Sequence, residues 1–89
     1  MASVSTSHSA IEMAKKACAA AQKCLHTSIN TLQSKYSAAG SGWQDNKYKE
    51  LGEVIGTATK AMKEPIGDLQ KSISDLVVLQ AIIAEYEEA

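Results

Sequence analysis

A single break governs what this chain can fold into. Ile11, Cys18, Leu25 and Leu32 recur every seven residues, as do Tyr48, Ile55, Met62, Leu69, Leu76 and Ile83. The two series are separated by Ser37-Ala38-Ala39-Gly40-Ser41-Gly42. A sustained seven-residue apolar period marks a helix with one buried stripe, packed as in a coiled coil. The glycines and serines of the break supply helix-end and turn chemistry, so the chain reverses there. The expectation is an all-α fold: an antiparallel two-helix hairpin whose second helix is longer and kinked near Pro65, with hairpins pairing into a four-helix bundle dimer. Helix 1 is expected at about 9–38, the turn at 39–43 and helix 2 at about 44–87. Residues 1–8 are rich in serine and threonine and carry no period. They read as a frayed tail, which leaves 9–89 as one hairpin domain.

Local signals support these boundaries. Ser9-Ala10-Ile11-Glu12 has the form of a capping box, and Ser41 with Gln44 forms a second, with Asp45 favourably placed at the positive end of the new helix dipole. Ala14, Ala21, Ser28, Ile29 and Tyr36 widen the first stripe; Leu51, Ala58, Ile66, Ile73, Leu79 and Tyr86 widen the second. Pro65 removes an amide and clashes with the carbonyl of Ala61. Two outcomes stay open. The period from Met62 to Leu69 runs straight through the proline, which suits a kinked continuous helix, whereas a break there would give three helices with Pro65 in a first turn.

Composition narrows the function classes. With 89 residues and no phenylalanine, the chain is expected to bury only about 60–65% of its unfolded surface, so its core is small. A net charge of −1 gives no electrostatic reason to expect nucleic acid or an anionic membrane. The first twenty residues do not read as a secretory signal, and the run Leu76–Ala84 is far short of the roughly 20 residues of a spanning helix. Cys18 and Cys24 point in different directions on one helix and read as small, largely buried, reduced hydrophobes. His8, His26 and Cys24 lack the paired spacing of a metal site, and Glu85, Glu87 and Glu88 read as a solvated acidic end rather than catalytic carboxylates. The chain is read as a non-enzyme with no cofactor and no metal.

The unequal arms give the sharpest physical clue. With the turn centred near Ser41, Ile11 lies level with about Lys71; a first helix of about 43 Å then faces a second of about 66 Å. The overhang holds Leu76, Val77, Val78, Leu79, Ile82, Ile83 and Tyr86. Leaving six aliphatics uncovered forgoes on the order of 10 kcal/mol gross, comparable with the net stability of a domain. Either the chain folds back, or the serine-rich tail extends helix 1 over them, or a partner covers them. For the last case the interface is assigned to Leu69, Ile73, Leu76, Leu79, Ile83 and Tyr86.

Helix, Ser41-Gly42-Trp43 turn and helix in about ninety residues resemble the Trp-Xaa-Gly (WXG) family of type VII, or ESX, secretion. The local match runs from Gly42-Trp43 through Lys63-Glu64-Pro65-Ile66-Gly67-Asp68-Leu69 to Ile73 and Leu76. Asp45 stands where the family has glycine, so the turn motif Gly42, Trp43, Asp45 reads Trp-Gln-Asp. The export signature, an aromatic followed four places later by an acid, is approached by Tyr86, Glu87 and Glu88 without meeting that spacing. The resemblance implies a homodimer or a complex with a heteromeric helical partner such as a toxin's N-terminal helical region. It also implies contact with a secretion ATPase, and export from the cytoplasm without a cleavable signal peptide. Trp43 is then a staple of the turn or a contact for the ATPase or partner helix. The alternative function is a cytosolic helical dimer with a structural or regulatory role and no export.

Overall fold

Two long helices form because each stretch repeats an apolar stripe with few breakers, and the computed structural model places them side by side. It describes residues 4–88, with side chains for 7–86. Helix α1 spans Val4–Ala39 and α2 spans Asn46–Glu88, joined by residues 40–45. Among the described residues there is no strand, and the fold is an all-α hairpin.

The stripes read from the sequence face each other. Ile11 and Ile29 are buried, and Cys18, Leu25, Leu32 and Tyr36 are half-buried on α1. On α2, Tyr48, Ile55, Met62, Leu69, Leu76 and Ile83 are all half-buried. Cys24, however, is exposed, because it sits about 120° around the helix from Cys18; the expectation of two largely buried cysteines is corrected for it. Both thiols are free.

Helix α1 begins earlier than expected. Residues 4–8 are helical, so the frayed-tail reading is corrected for them, while 1–3 lie outside the described residues. Serine and threonine cost roughly 0.5 kcal/mol each in a helix, which local pattern alone does not offset. Packing does: Ser7 and His8 are half-buried, and Ser7 lines a small cleft with Ile82, Ile83 and Tyr86 of α2. Ser9 is therefore interior to the helix and caps nothing.

The register also differs. Tyr36 bonds to Tyr48, Gln22 to Ile66 and Glu12 to Gln80, so Ile11 lies level with the region of Gln80 rather than Lys71. Two causes act together: the turn is longer and centred nearer Trp43, and α1 has 36 residues against 43 in α2. The overhang all but disappears, the first turns of α1 lying beside the last turns of α2, where Ser7 meets Ile82, Ile83 and Tyr86.

Pro65 lies inside α2, which continues unbroken on both sides, so the three-helix outcome is excluded. Ala61, whose carbonyl loses its partner, is exposed, so water can reach it. One turn of the opposite helix braces the site: Gln22 Nε2 donates to Ile66 O (3.1 Å) and Gln70 Oε1 (3.2 Å).

Candidate functional site

The bend is held by two tyrosines acting reciprocally. Their rings stack at 4.2 Å with 8° between planes. Tyr36 Oη donates to Tyr48 O (3.0 Å), and Tyr48 Oη donates to Tyr36 O (2.8 Å). Each hydroxyl lies over a glycine four residues beyond the other tyrosine: Tyr36 over Gly52, Tyr48 over Gly40. A Cβ at either glycine would collide with the phenol. The repeated Tyr-x-x-x-Gly spacing, from Tyr36 to Gly40 and from Tyr48 to Gly52, is thus a latch written twice in the sequence.

The latch redefines the turn residues. No glycine has positive φ, so Gly40 and Gly42 do not act as left-handed helix caps. Helix α1 ends instead through short turns, with Gly40 N donating to Tyr36 O and Ser37 O (both 3.2 Å) and Gly42 N to Ala39 O (3.2 Å). Side chains complete it: Ser41 Oγ donates to Ala38 O (2.8 Å) and Gln44 Nε2 to Gly40 O (3.0 Å). Ser41 and Gln44 close the first helix rather than opening the second, which corrects the second capping box. Asp45 is the cap of α2, its Oδ1 accepting from Lys47 N (2.9 Å) and Tyr48 N (3.2 Å). A carboxylate at this place satisfies two orphan amides, which a glycine cannot do. Trp43 leans on Tyr48 with centroids 5.6 Å apart and remains 38% exposed.

At the far end a polar cluster sets the register. Lys15 Nζ donates to Gln80 Oε1 (2.8 Å) and Glu12 Oε2 (3.3 Å), while Gln80 Nε2 donates to Glu12 Oε2. The hydrogen bond from Gln80, then that from Lys15 and its charge, hold the Glu12 carboxyl below its ordinary range. Glu12 is thus a cross-helix ligand rather than the capping partner of Ser9 that its spacing suggests.

The six residues assigned to a partner interface occupy two environments. Leu69, Ile73, Leu76 and Ile83 are half-buried along the hairpin's own seam, whereas Leu79 and Tyr86 are exposed. The backbones of Glu87 and Glu88 close α2, and their side chains lie outside the described ones.

Among the described residues, five of the nine large exposed apolar side chains share one flank of α2. At 100° per residue, Leu51, Val54, Ala58, Ala61, Leu79, Ile82 and Tyr86 lie on one flank of α2, counter to the direction of winding from the seam, with Pro65, Asp68, Ser72 and Asp75 between its two apolar ends. Ala10, Ala14, Ala17, Cys24, Ser28, Thr31 and Lys35 lie on the matching flank of α1, while Met13 points away from the seam. Because the helices run antiparallel, these flanks share one face, where a groove is lined by Thr27, Ser28, Thr31, Leu32 and Lys35 of α1 with Met62 of α2. Val54 is 64%, Ile82 55% and Tyr86 79% exposed there. The opposite face carries Gln33, Ser37, Lys60 and Lys63 beside Tyr36, Gly52, Ile55, Gly56 and Thr59 along one shallow groove of mixed polarity. Val77 and Val78 point elsewhere.

Among the described residues no group of three metal-ligating side chains exists, and no helix is long and apolar enough to cross a membrane. Buried atoms without a partner are His8 Nδ1 and Thr59 Oγ1. Sequence reasoning did not find the tyrosine latch, the apolar flank or the Glu12 cluster; the Tyr-x-x-x-Gly repeat was the available signal for the first. A scan against protein-family models matches none, and searches of curated proteins and of solved structures return no match.

Proposed function

We propose that this protein is a small helical partner or substrate of a type VII (ESX) secretion system that works by helix–helix association, and that it can escort a larger toxin by packing against the toxin's N-terminal helices. One observation carries the association: a hairpin whose buried apolar side chains are only Ile11 and Ile29 among the described residues, with Leu51, Val54, Leu79, Ile82 and Tyr86 left exposed along one flank of α2. The link to secretion rests on the resemblance of the Gly42-Trp43 turn between two such helices. On this reading the protein is a homodimer or pairs with a heteromeric helical partner. It starts in the cytoplasm and leaves without a cleavable signal peptide, with Trp43 accessible to a secretion ATPase and Tyr86, Glu87 and Glu88 at the end of α2 serving export.

The test is comparison of culture medium and cell fractions in the producing organism with and without its secretion ATPase, alongside co-purification of helical partners. Loss of the protein from the medium on deletion supports export. An unchanged distribution with no helical partner recovered would replace this reading with that of a cytosolic helical dimer of structural or regulatory role.

A further inference from the structure

We infer that the groove beside the tyrosine latch, on the face opposite the apolar flank, binds a phosphate monoester. Its charged head sits between Lys60 and Lys63, and its body lies over Gly52 and Gly56 against Tyr36 and Ile55. This goes beyond the association reading and is independent of it, since a partner on the apolar flank leaves this face open.

The shape of the groove is the first argument. It encloses about 620 Å³, within the span of roughly 300–1,000 Å³ usual for small-ligand sites. Glycine opens it. Nothing lies within 4 Å of where a Cβ would stand at Gly56, although an alanine there would favour the helix. At Gly52, one turn earlier, the space holds the hydroxyl end of Tyr36. The end of the groove nearer the bend is therefore apolar and aromatic, with Tyr36 and Ile55 as its lining.

The other end is made of donors. Lys60 and Lys63 line it from neighbouring turns of α2, and Gln33 and Ser37, one turn apart on α1, supply an amide and a hydroxyl. No carboxylate lines it. Glu64 follows Lys63 directly but stands about 100° round the helix from it. Neither lysine is neutralised within the chain: among the described residues the ion pairs are Lys15 with Glu12 and Lys47 with Glu50.

Thr59 is the independent sign that a partner is missing. It belongs to the groove and is only 5% exposed, yet its hydroxyl has no hydrogen-bond partner. A helical threonine ordinarily bonds to the carbonyl a turn back, as Thr57 does to Glu53 O at 3.1 Å. Thr59 does not, and rotation about χ1 turns its hydroxyl between the two rotamers open to a helical threonine. The charge selects the ligand. A phosphate monoester carries about −1.5 to −2 near neutral pH and three acceptor oxygens, which matches two ammonium groups and the surrounding donors; a carboxylate would leave one lysine without a counter-charge.

The experiment is a titration of purified, ¹⁵N-labelled full-length protein with phenyl phosphate at low salt, followed by amide chemical shifts. Saturable changes should gather at Gly52, Gly56, Thr59 and Lys60, with a Kd of about 1 mM or tighter for a ligand this small. Lys60→Gln with Lys63→Gln should weaken binding about tenfold or more, and a tenfold rise in ionic strength should weaken it as well. Gly56→Leu, which fills the open floor, should abolish binding. Thr59→Val should weaken binding several-fold while raising the melting temperature, because it removes an unpartnered buried hydroxyl. The lysines are exposed, so the double glutamine variant keeps its helix content by circular dichroism and tests the inference even if Gly56→Leu unfolds.

Shifts that fail to saturate, that spread equally over every lysine of the surface, or that survive replacement of Lys60 and Lys63 overturn the inference. A phosphotyrosine peptide that binds about tenfold tighter than phenyl phosphate identifies the ester as part of a phosphorylated protein segment. Equal affinity identifies it as a free small molecule.

Discussion

At Gly40 and Gly52 the missing side chain matters because a tyrosine hydroxyl occupies its place, not because the backbone needs an unusual angle. Gly42 and Gly56 have nothing within 4 Å of where a Cβ would stand. The four glycines therefore separate by substitution. Gly52→Ala and Gly40→Ala are expected to destabilise by about 1–3 kcal/mol, since an inserted methyl displaces a stacked ring. Gly56→Ala, in an open helical position, should stabilise by about 0.5–1 kcal/mol. Urea denaturation monitored by circular dichroism measures all of these, and equal effects at positions 52 and 56 would mean the phenol is free to move aside. The tyrosines add a pH dependence. Loss of solvent, followed by the bond with Tyr48, raises the Tyr36 phenol above its ordinary 10.0. The folded state thus favours the neutral phenol. Its contribution is fully present below pH 10 and is lost as pH rises through the elevated value. Melting temperatures measured from pH 7 into the alkaline range should fall at the top of that range, and Tyr36→Phe should flatten that fall.

At the scale of elements, the helices were legible and their ends were not. The heptad positions from Ile11 to Leu32 and from Tyr48 to Ile83 are the ones that face inward, because a buried stripe leaves a period that no other structure imitates. End signals are weaker, since a serine or glutamate can serve a cap, a turn or a distant helix equally well. Ser9 and Glu12 had the spacing of a capping box, yet contacts of Ser7 with the end of α2 carried the helix past it. Tyr36 and Tyr48 were counted as stripe residues and Gly40 as a helix stop, so their joint role was divided between two categories. The overhang has another cause: a register centred near Ser41 assigns α2's last turns to a partner, whereas the start of α1 covers part of them. The cap of α2 offers a test at this scale. Asp45→Ala should cost about 1 kcal/mol and Asp45→Gly only a few tenths, measured by thermal unfolding. If glycine proved as damaging as alanine, Asp45 would be holding more than the two amides it bonds.

Taken as a whole molecule, the hairpin is closer to a strip than to a globule. Its radius of gyration is 20.0 Å, against about 12 Å for a compact domain of this length. Roughly half of the unfolded surface is buried, below the 60–65% expected from chain length. Among the described residues no side chain is completely enclosed. Such a strip holds its shape locally through caps, the tyrosine latch and the Glu12–Lys15–Gln80 cluster, while Leu51, Val54, Leu79, Ile82 and Tyr86 stay exposed along α2. Specific polar ties fix the register at both ends, so each flank of the hairpin is well defined even with a thin interior.

The tyrosine latch also settles how such a strip yields to force. The outer ends of α1 and α2 lie together at one end of the molecule and the latch at the other, so tension on those ends loads the inter-helix contacts one after another, never all at once. The helices would peel apart in sequence from the Glu12 cluster towards the bend, each step against a few side chains only. The stacked tyrosines, with only eleven residues of chain between them, would be the last contact to part and the first to re-form on release.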